Sequence, residues 1–464
     1  MLKRPLHRHL FRELRESIVG GALRGGTRLP STRDFASQRG ISRKTAEEAY
    51  AQLEREGYVD RRVGSGTYVS ELPLPKKRAA RLEGRRTLSG RGRKAGASMS
   101  CVEPLVVRAF AAGLPALDEF PLQTWQRLVA SHARRLDAHA LVYGDPAGEP
   151  TLREAVATYV STARGVHCDA SQIVIVSSAQ EALHLLAQLL LDPGDAAWLE
   201  EPGYYGARAA LNSAGARVVP VPVDADGLDV AAGIALAPNA RIACVTPSNQ
   251  YPLGVSMSLD RRLALLDWAR RNDAWIVEDD YDGEFRYDGR PLTAVQGLDS
   301  AGRVIYVGTF TKSLYPSLRL GYVVLPPDLV ASFVAARTQV DGHPPPFMQR
   351  VVADFMHLGH FDAHLRRMRA LYRERRDLAL RLFTRHLPID HGVELGPADA
   401  GFRIVAFLTK NDRDVADRAA RAGLELPTLS RLYVGRPRQG LVLGYMGLAP
   451  AALTQGVKAL ARLL

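Results

Sequence analysis

The sequence predicts two folded domains: an N-terminal winged helix-turn-helix and a larger α/β domain whose mostly parallel sheet has helices on both faces. Three observations lead to this prediction. The chain of 464 residues is too long for one ordinary hydrophobic core. Its positive charge is concentrated near the N-terminus. Beyond residue 104, apolar runs of strand length alternate with stretches of helical periodicity, which is typical of a parallel sheet.

The formal net charge of +12 is unevenly distributed along the chain. Residues 1–70 contain 14 Lys and Arg against 8 Asp and Glu, and residues 71–98 contain 9 against 2. The remaining residues are close to neutral. This division is typical of a DNA-binding module attached to a neutral sensor or enzyme.

Residues 1–70 have the pattern of three helices followed by a β-hairpin. Apolar residues recur at helical spacing in the first helix: Leu10, Leu14 and Ile18. Ser31 and Ser42 each precede a further helix, and two short strands flank a glycine-rich turn. In this arrangement the third helix enters the major groove of DNA by its N-terminus. The candidate DNA-binding residues on the helices and the wing are Arg33, Ser42, Arg43, Lys44, Thr45 and Gly66.

Residues 71–103 are rich in Pro, Gly, Ser and Arg and contain few large apolar side chains. Such a segment cannot bury enough surface to offset the entropy lost on ordering. We therefore predict a flexible basic linker between the N-terminal domain and a body that comprises residues 104–464. The charge of the linker either aids solubility alone or adds non-specific contacts with phosphate.

Polar clusters in the body follow its predicted strands, where ligands bind in open α/β sheets. One cluster contains Thr309, Thr311 and Lys312 after the strand at residues 304–307, and Arg319 comes seven residues later. A lysine beside hydroxyls and a guanidinium suits an aldehyde that carries a phosphate. Lysine forms a Schiff base with the aldehyde, and the other groups bind the phosphate. Alone, such a cluster is more often an ordinary loop, so the prediction depends on its neighbours.

Four further strand-end clusters suit the same ligand. A helix opens at residues 178–180, and its backbone N–H groups suit a phosphate. Tyr204 suits stacking on a flat ring, and the loop at residues 246–254 offers amide and phenol groups. Asp279 suits a protonated pyridine nitrogen, while Tyr281 suits the ring hydroxyl. Five individually weak clusters that fit one ligand together favour a binding site over five unrelated loops.

The motifs in both parts of the chain resemble known families. LPSTRDF, SRKT, LEREGYV and GSGTYV follow one another as in the GntR-type winged helix. In the body, YGDPAGEPTLR, TPSNQYPLG, EDDYDGEF and GTFTKSLYPSLRLGY are similar to the fold type I, aspartate aminotransferase-like proteins that bind pyridoxal 5'-phosphate. The whole chain therefore resembles the MocR/GabR class of transcription regulators, in which two such parts are fused.

This resemblance implies a pyridoxal 5'-phosphate site in a transferase domain of fold type I. Lys312 would form the Schiff base, Asp279 would pair with the pyridine nitrogen, and Tyr281 would bind the ring hydroxyl. Tyr204 would stack on the ring. The phosphate shell would consist of Ser178, Ala179, Gln180, Thr309, Thr311 and Arg319. A head-to-tail homodimer follows by analogy, and in it Tyr143 would reach the phosphate of the neighbouring subunit.

Three positions depart from the pattern of the resembling families. Tyr251 precedes Pro252 where aminotransferases of this fold normally have an asparagine, and Asn249 stands where the regulators often have a histidine. Val442 stands where relatives commonly have an arginine that binds a carboxylate, and an apolar side chain cannot make that contact. Either another arginine takes over or the effector is not a simple amino acid. The candidate arginines are Arg208, Arg403 and Arg436.

These observations predict a DNA-binding transcription regulator that senses a small amine or amino acid through pyridoxal 5'-phosphate. One alternative is a working aminotransferase that carries a DNA-binding domain, and another is a sensor of pyridoxal 5'-phosphate itself. The residues at positions 251 and 442 favour a sensor over an enzyme.

Cysteine usage and hydropathy indicate the cellular compartment in which we expect the protein. The three cysteines lie far apart without a CxxC pair, so neither a disulfide framework nor a metal site is expected. The N-terminus has no apolar signal sequence, and no apolar run is long enough to span a bilayer. We therefore predict a cytoplasmic protein without a membrane partner.

Overall fold

The computed structural model describes residues 6–71, 88–97, 108–288, 292–387 and 392–464. It divides into two compact units, Met1–Leu88 and Ser89–Leu464. Much of the predicted linker lies outside the described residues. Within that segment, Gly90–Ala97 form a helix, which differs from the irregular chain that the composition of the segment predicts.

The smaller unit is a winged helix-turn-helix, as predicted. Its helices are α1 (Leu6–Val19), α2 (Thr32–Arg39) and α3 (Arg43–Arg55), and its strands are β1 (Arg28–Leu29), β2 (Val59–Arg62) and β3 (Gly66–Val69). Strand β3 pairs antiparallel with both β1 and β2. The three helices close over a core that includes Leu10, Leu14, Ile18, Phe35, Tyr50 and Leu53.

The larger unit contains an eight-stranded sheet of order β4-β11-β10-β9-β8-β5-β6-β7. The strands are β4 (Ile173–Val176), β5 (Ala196–Glu201), β6 (Arg217–Asp224), β7 (Gly227–Leu228), β8 (Ile242–Val245), β9 (Trp275–Asp280), β10 (Val304–Thr309) and β11 (Gly321–Val324). The strands from β10 to β6 in this order run parallel. Strands β11 and β7 run antiparallel to their neighbours. The predicted mostly parallel sheet is therefore confirmed.

Helices cover both faces of this sheet. In chain order the helices of the larger unit are α4 (Gly90–Ala97), α5 (Leu122–Arg134), α6 (Pro150–Arg164), α7 (Ala179–Leu190), α8 (Tyr205–Ala214), α9 (Val230–Leu236), α10 (Leu259–Arg271), α11 (Phe310–Ser313), α12 (Pro327–Asp341), α13 (Pro346–His357), α14 (His360–His386), α15 (Asp412–Arg421) and α16 (Pro450–Ala461). Alternate residues of β4 enter two different cores: Ile173 and Ile175 join one, and Val174 and Val176 join the other. A strand buried on both sides needs apolar residues throughout, which explains the unbroken run IVIV.

A small antiparallel sheet lies towards the C-terminus of the larger unit. It consists of β12 (Val393–Leu395), β13 (Arg403–Leu408) and β14 (Gly440–Gly444), with β13 in the centre. Residues of β13 and β14 share one hydrophobic core with α14 and α16. None of the helices in the described part of the chain is both long and apolar enough to cross a membrane.

The reversed strand β11 positions part of the site. Its first residue, Gly321, pairs with Thr309 at the end of β10 and with Val176 at the end of β4. The start of β11 therefore lies at the edge of the sheet where the parallel strands end. For this reason Arg319, which precedes a strand, comes close to residues that follow strands.

Candidate functional site

Lys312 lies at the carboxyl edge of the large sheet. It belongs to α11, a single turn that begins where β10 ends. Thr309 caps this turn, because its Oγ1 accepts a hydrogen bond from the backbone N–H of Thr311 at 3.1 Å. The Lys312 Nζ donates a hydrogen bond to the carbonyl oxygen of Gly113 at 2.7 Å. A short, capped turn thus holds the half-buried amine in place.

Asp279 lies on the neighbouring strand, β9, and pairs in register with Val307 of β10. Its side chain is buried, and its Oδ1 has no hydrogen-bond partner among the described residues. Burial raises the pKa of Asp279 to about 7, and nearby carboxylates add to this effect, whereas the charge of Lys312 opposes it. An unpartnered, buried carboxylate oxygen beside an ammonium group is suited to a ligand that brings its own positive N–H.

Tyr281 follows β9 and lies within a network of polar groups. Its hydroxyl donates to the Asn249 carbonyl oxygen at 2.7 Å, and the Asn249 Nδ2 lies 3.3 Å from the same hydroxyl. The Asn249 Nδ2 also donates to Asp282 Oδ2 at 2.8 Å. Arg403 of β13 donates to the Tyr281 hydroxyl, and its guanidinium carbon lies 4.4 Å from the centre of the Tyr251 ring. Burial raises the pKa of Tyr281 well above its ordinary value, so its hydroxyl stays protonated.

The N-terminus of α7 follows β4 at the same edge. Ser178 caps this helix, since its Oγ accepts from the Glu181 backbone N–H at 3.1 Å. A Cβ added at Gly321 would lie 3.6 Å from the backbone nitrogen of Ala179, so the helix start faces the start of β11. Arg319, two residues before Gly321, is exposed and has a left-handed backbone with φ of 53°. The backbone that carries Arg319 therefore lies near the N-terminus of α7.

Tyr204 and Gln180 lie together beside that helix start. Gln180 Nε2 donates to the Gly206 carbonyl oxygen at 2.9 Å. A Cβ at Gly206 would collide with both Gln180 and Tyr204, so the first turns of α7 and α8 approach closely. The Tyr204 ring centre lies 5.5 Å from that of Tyr251. The structure thus brings the predicted stacking tyrosine into contact with the helix start and with the tyrosine before Pro252.

The two proposed effector arginines differ in their surroundings. Arg208 donates to the Tyr433 carbonyl oxygen from Nη1 and to the Arg431 carbonyl oxygen from Nη2, each at 3.1 Å. Arg403 is buried, and its Nε has no hydrogen-bond partner among the described residues. Its Nη1 lies 3.9 Å from Asp282. Arg208 therefore links α8 to the segment at residues 431–433, whereas Arg403 keeps a donor without a partner at the site.

Val442 lies on the same face of the small sheet as Arg403. Val442 pairs with Val405, and Arg403 precedes Val405 by two residues, so the three side chains share one face. Val442 is fully buried in a small apolar cluster on which Tyr251 packs. Position 442 therefore holds an apolar side chain, and the positive charge on this face comes from Arg403 on the adjoining strand.

The other candidates are exposed. Arg436 is exposed, and the Tyr143 side chain is 92% exposed, with its ring centre 5.8 Å from that of His343. The predicted contact of Tyr143 with a second subunit stays a prediction.

The predicted DNA-binding residues occupy the surface of the smaller unit. Ser42 caps α3 by accepting from the Thr45 backbone N–H at 3.1 Å, and Arg43 forms an exposed ion pair with Glu47 at 2.9 Å. Lys44 is exposed in the same first turn. Arg33 is exposed on α2, and Gly66 begins β3 with φ of 119°, a conformation that favours glycine.

Two polar residues of the site were not assigned a role from the sequence. The Asn249 amide reaches Tyr281 and Asp282, although the sequence marked it only as a departure from a pattern. Arg164, at the end of α6, forms a buried ion pair with Asp280 at 2.7 Å. The polar PSNQ stretch was a signal for Asn249. A single arginine at a helix end gave no sign that it would be buried.

The chain matches two families of known proteins. Residues 111–434 match "Aminotransferase class I and II", and residues 6–69 match "Bacterial regulatory proteins, gntR family". The "Probable rhizopine catabolism regulatory protein MocR" of Rhizobium meliloti is 43% identical over 98% of this chain and 93% of its own length. The "HTH-type transcriptional regulator TauR" of Rhodobacter capsulatus is 34% identical over 99% and 96%. An archaeal alanine:glyoxylate aminotransferase structure superimposes with a TM-score of 0.73 at 25% identity, over 81% of this chain and 97% of that one.

Proposed function

The chain belongs to the GntR-type bacterial regulators that carry an aminotransferase class I and II domain, and we propose that it controls transcription in response to a small amine or amino acid. Relatives that match it over nearly their whole length are named as a regulatory protein and as a transcriptional regulator. The chain is accordingly a DNA-binding transcriptional regulator whose larger domain binds pyridoxal 5'-phosphate.

The observation that carries this proposal is the convergence of Lys312, Asp279 and Tyr281 at one edge of the sheet, within reach of Arg403. The unpartnered Asp279 oxygen fits the cofactor, because a pyridine N–H is a group that would satisfy it. Pyridoxal 5'-phosphate, when bound, supplies an aldehyde that reacts with primary amines and a ring that withdraws electrons.

Each residue of this edge has a proposed task. Lys312 attaches the cofactor, Asp279 keeps a proton on its ring nitrogen, and Tyr281 donates to its ring hydroxyl. Tyr204 packs on the ring face. The groups proposed to bind the phosphate are Ser178, Ala179, Gln180, Thr309, Thr311 and Arg319. The capped α7 start and the adjacent start of β11 support this phosphate site.

Arg403 is the proposed anchor for an effector carboxylate. It is the candidate arginine with a buried, open Nε, and it is stacked on Tyr251 at the site. Val442, on the same face, is fully buried and supplies no second cation. These features favour an amine with a single carboxylate.

Aminotransferase turnover is the second candidate function. The complete set of lysine, aspartate and tyrosine at the site favours it. Against it stand Tyr251 and Val442, which occupy the positions where the resembling aminotransferases have an asparagine and an arginine.

We further propose a head-to-tail homodimer in the cytoplasm, where DNA is accessible. Three consecutive exposed residues, Leu141, Val142 and Tyr143, form an apolar segment that suits a subunit contact. A dimer would also present two winged helices to two half-sites on DNA.

The test titrates the cofactor-loaded protein with a panel of amines and amino acids. Visible absorption, keto-acid formation and affinity for the DNA upstream of the gene are followed together. We expect one class of amine to change both the absorption and the DNA affinity without sustained keto-acid release. Sustained release with unchanged DNA affinity would favour an enzyme, and a DNA response to the cofactor alone would favour a sensor of the cofactor itself.

A further inference from the structure

A cavity of about 660 Å³ lies in the larger unit apart from the residues proposed to bind the cofactor. It is lined by the end of α6, by residues 283–287 after β9, and by the first half of α14. Its volume lies in the range of sites for small metabolites.

Four of the five arginines that line this cavity give it positive charge, and the fifth, Arg164, is paired with Asp280. Arg366, Arg369 and Arg373 line it from one face of α14, at the spacing of three and four residues that aligns side chains on a helix. Arg286 lines it from the segment after β9. None of the four forms an ion pair with a carboxylate in the described parts of the chain. Because each guanidinium has five N–H donors, several remain available even where one binds a backbone carbonyl.

One donor and one acceptor in the cavity lining are buried without a partner. They are the Nε of Arg286 and the Oε2 of Glu284. The other oxygen of Glu284 accepts a hydrogen bond from the Tyr159 hydroxyl at 3.0 Å. Buried polar groups are normally satisfied, so a donor and an acceptor without partners on the residues that line one cavity favour a ligand that carries both kinds of group.

We propose that this cavity binds a small organic anion, with its carboxylate or phosphate on the arginines and a hydroxyl or ammonium group on Glu284. Planar guanidinium groups match both anions, since they offer paired N–H donors. Asp362 at the cavity lining disfavours ligands with more than one or two negative charges near it.

One buried arginine joins this cavity to the cofactor edge of the sheet. Arg164 lines the cavity and donates to Asp280 Oδ2 at 2.7 Å, to Ser248 Oγ at 2.6 Å and to the Gly283 carbonyl oxygen at 3.2 Å. Asp280 lies next to Asp279 in β9. An anion in the cavity therefore binds directly beside the turn that carries the cofactor residues.

The test measures thermal unfolding of the cofactor-loaded, full-length protein with L-malate or glycerol 3-phosphate, against sodium chloride of equal ionic strength. At least one probe should give a saturable rise in Tm of about 3 °C at a hundredfold excess over its Kd. The probe that acts identifies carboxylate or phosphate as the preferred anion. Because neither probe contains an amine, their binding is independent of the cofactor aldehyde.

Two double variants test whether the probe raises Tm by binding in the cavity. The double variant Arg366→Ala/Arg373→Ala should lose the rise in Tm. The control Arg381→Ala/Arg385→Ala, which changes exposed arginines of α14 outside the cavity, should keep it. If the cavity variant has a lowered Tm without probe, the single variant Arg366→Ala is used and should reduce the rise by at least half. The proposal is wrong if neither probe exceeds sodium chloride, or if the rise persists in the cavity variant.

Discussion

Asp279 and Lys312 stand at the ends of adjacent parallel strands, and the charge of Lys312 acts on the ionisation of Asp279. The pKa of Asp279 rises because of burial, and the charge of Lys312 opposes that rise. Burying the carboxylate costs stability in the cofactor-free protein, and a cationic partner would remove that cost. The residue is therefore arranged for a ligand rather than for the stability of the fold.

Replacing Asp279 with asparagine should stabilise the cofactor-free protein by roughly 4 kcal/mol at pH 8. The folded-state pKa of about 7 lies above the unfolded value of about 3.9, so the cost of ionisation is absent below about pH 4 and complete above about pH 7. Denaturant unfolding of both proteins from pH 4 to pH 8 measures this difference. Asp417→Asn, at an exposed position, should follow the wild type. Equal unfolding free energies of Asp279→Asn and the wild type at pH 8 would contradict the assignment.

Arg403→Met should weaken binding of an effector amino acid by ten- to a hundredfold, because a charged hydrogen bond to its carboxylate contributes roughly 1.5–3 kcal/mol. The corresponding amine without a carboxylate should lose less than about threefold. Arg208→Met is the matched control, since both Arg208 Nη atoms already bind carbonyl oxygens. This variant should change the affinities for the two ligands by the same factor. Calorimetric titration measures both affinities. Equal losses for both ligands in Arg403→Met would exclude a carboxylate contact.

At the scale of elements, strand direction decides which side chains meet. The sequence predicted β4, β8 and β10 because unbroken apolar runs occur in strands that are buried on both faces. It did not predict that β11 is reversed, because parallel and antiparallel buried strands have the same apolar pattern. That reversal brings Arg319 to the edge where Thr309 ends its strand.

Helix α3 is the element expected to contact DNA. Arg43→Ala, in its first turn, should lower affinity for the upstream DNA by about ten- to a hundredfold, because a base contact contributes roughly 1–3 kcal/mol. Arg55→Ala, at the far end of the same helix, changes a residue that is also exposed and should alter the affinity little. A gel-shift titration compares the two. Similar losses in both variants would show that α3 does not enter the groove by its N-terminus.

Contacts between segments that are distant in the sequence were harder to predict than local arrangements. Arg208 and Arg403 were equivalent candidates, yet Arg208 binds the carbonyl oxygen of Tyr433, 225 residues away. Such a contact follows from tertiary packing and leaves no local pattern. The position of Lys312 directly after β10, in contrast, was predictable because strand, hydroxyls and lysine are contiguous.

At the scale of the whole molecule, charge is divided between the two units. Residues 1–70 carry an excess of Lys and Arg, whereas the body beyond residue 98 is nearly neutral. DNA binding should therefore depend on counterion release and cofactor binding should not. Raising salt from about 50 to about 200 mM should weaken DNA binding at least tenfold. Cofactor affinity, followed by absorption, should change less than about threefold. Similar salt dependence of both would contradict this division.

The central claim, that Lys312 holds pyridoxal 5'-phosphate in a regulator, has a direct measurement. The wild type, incubated with the cofactor and freed of excess, should show a visible absorption band. Lys312→Ala should lack this band, and Lys458→Ala, an exposed lysine of α16, should retain it. A wild type without the band, or a Lys312→Ala protein that keeps it, would contradict the account.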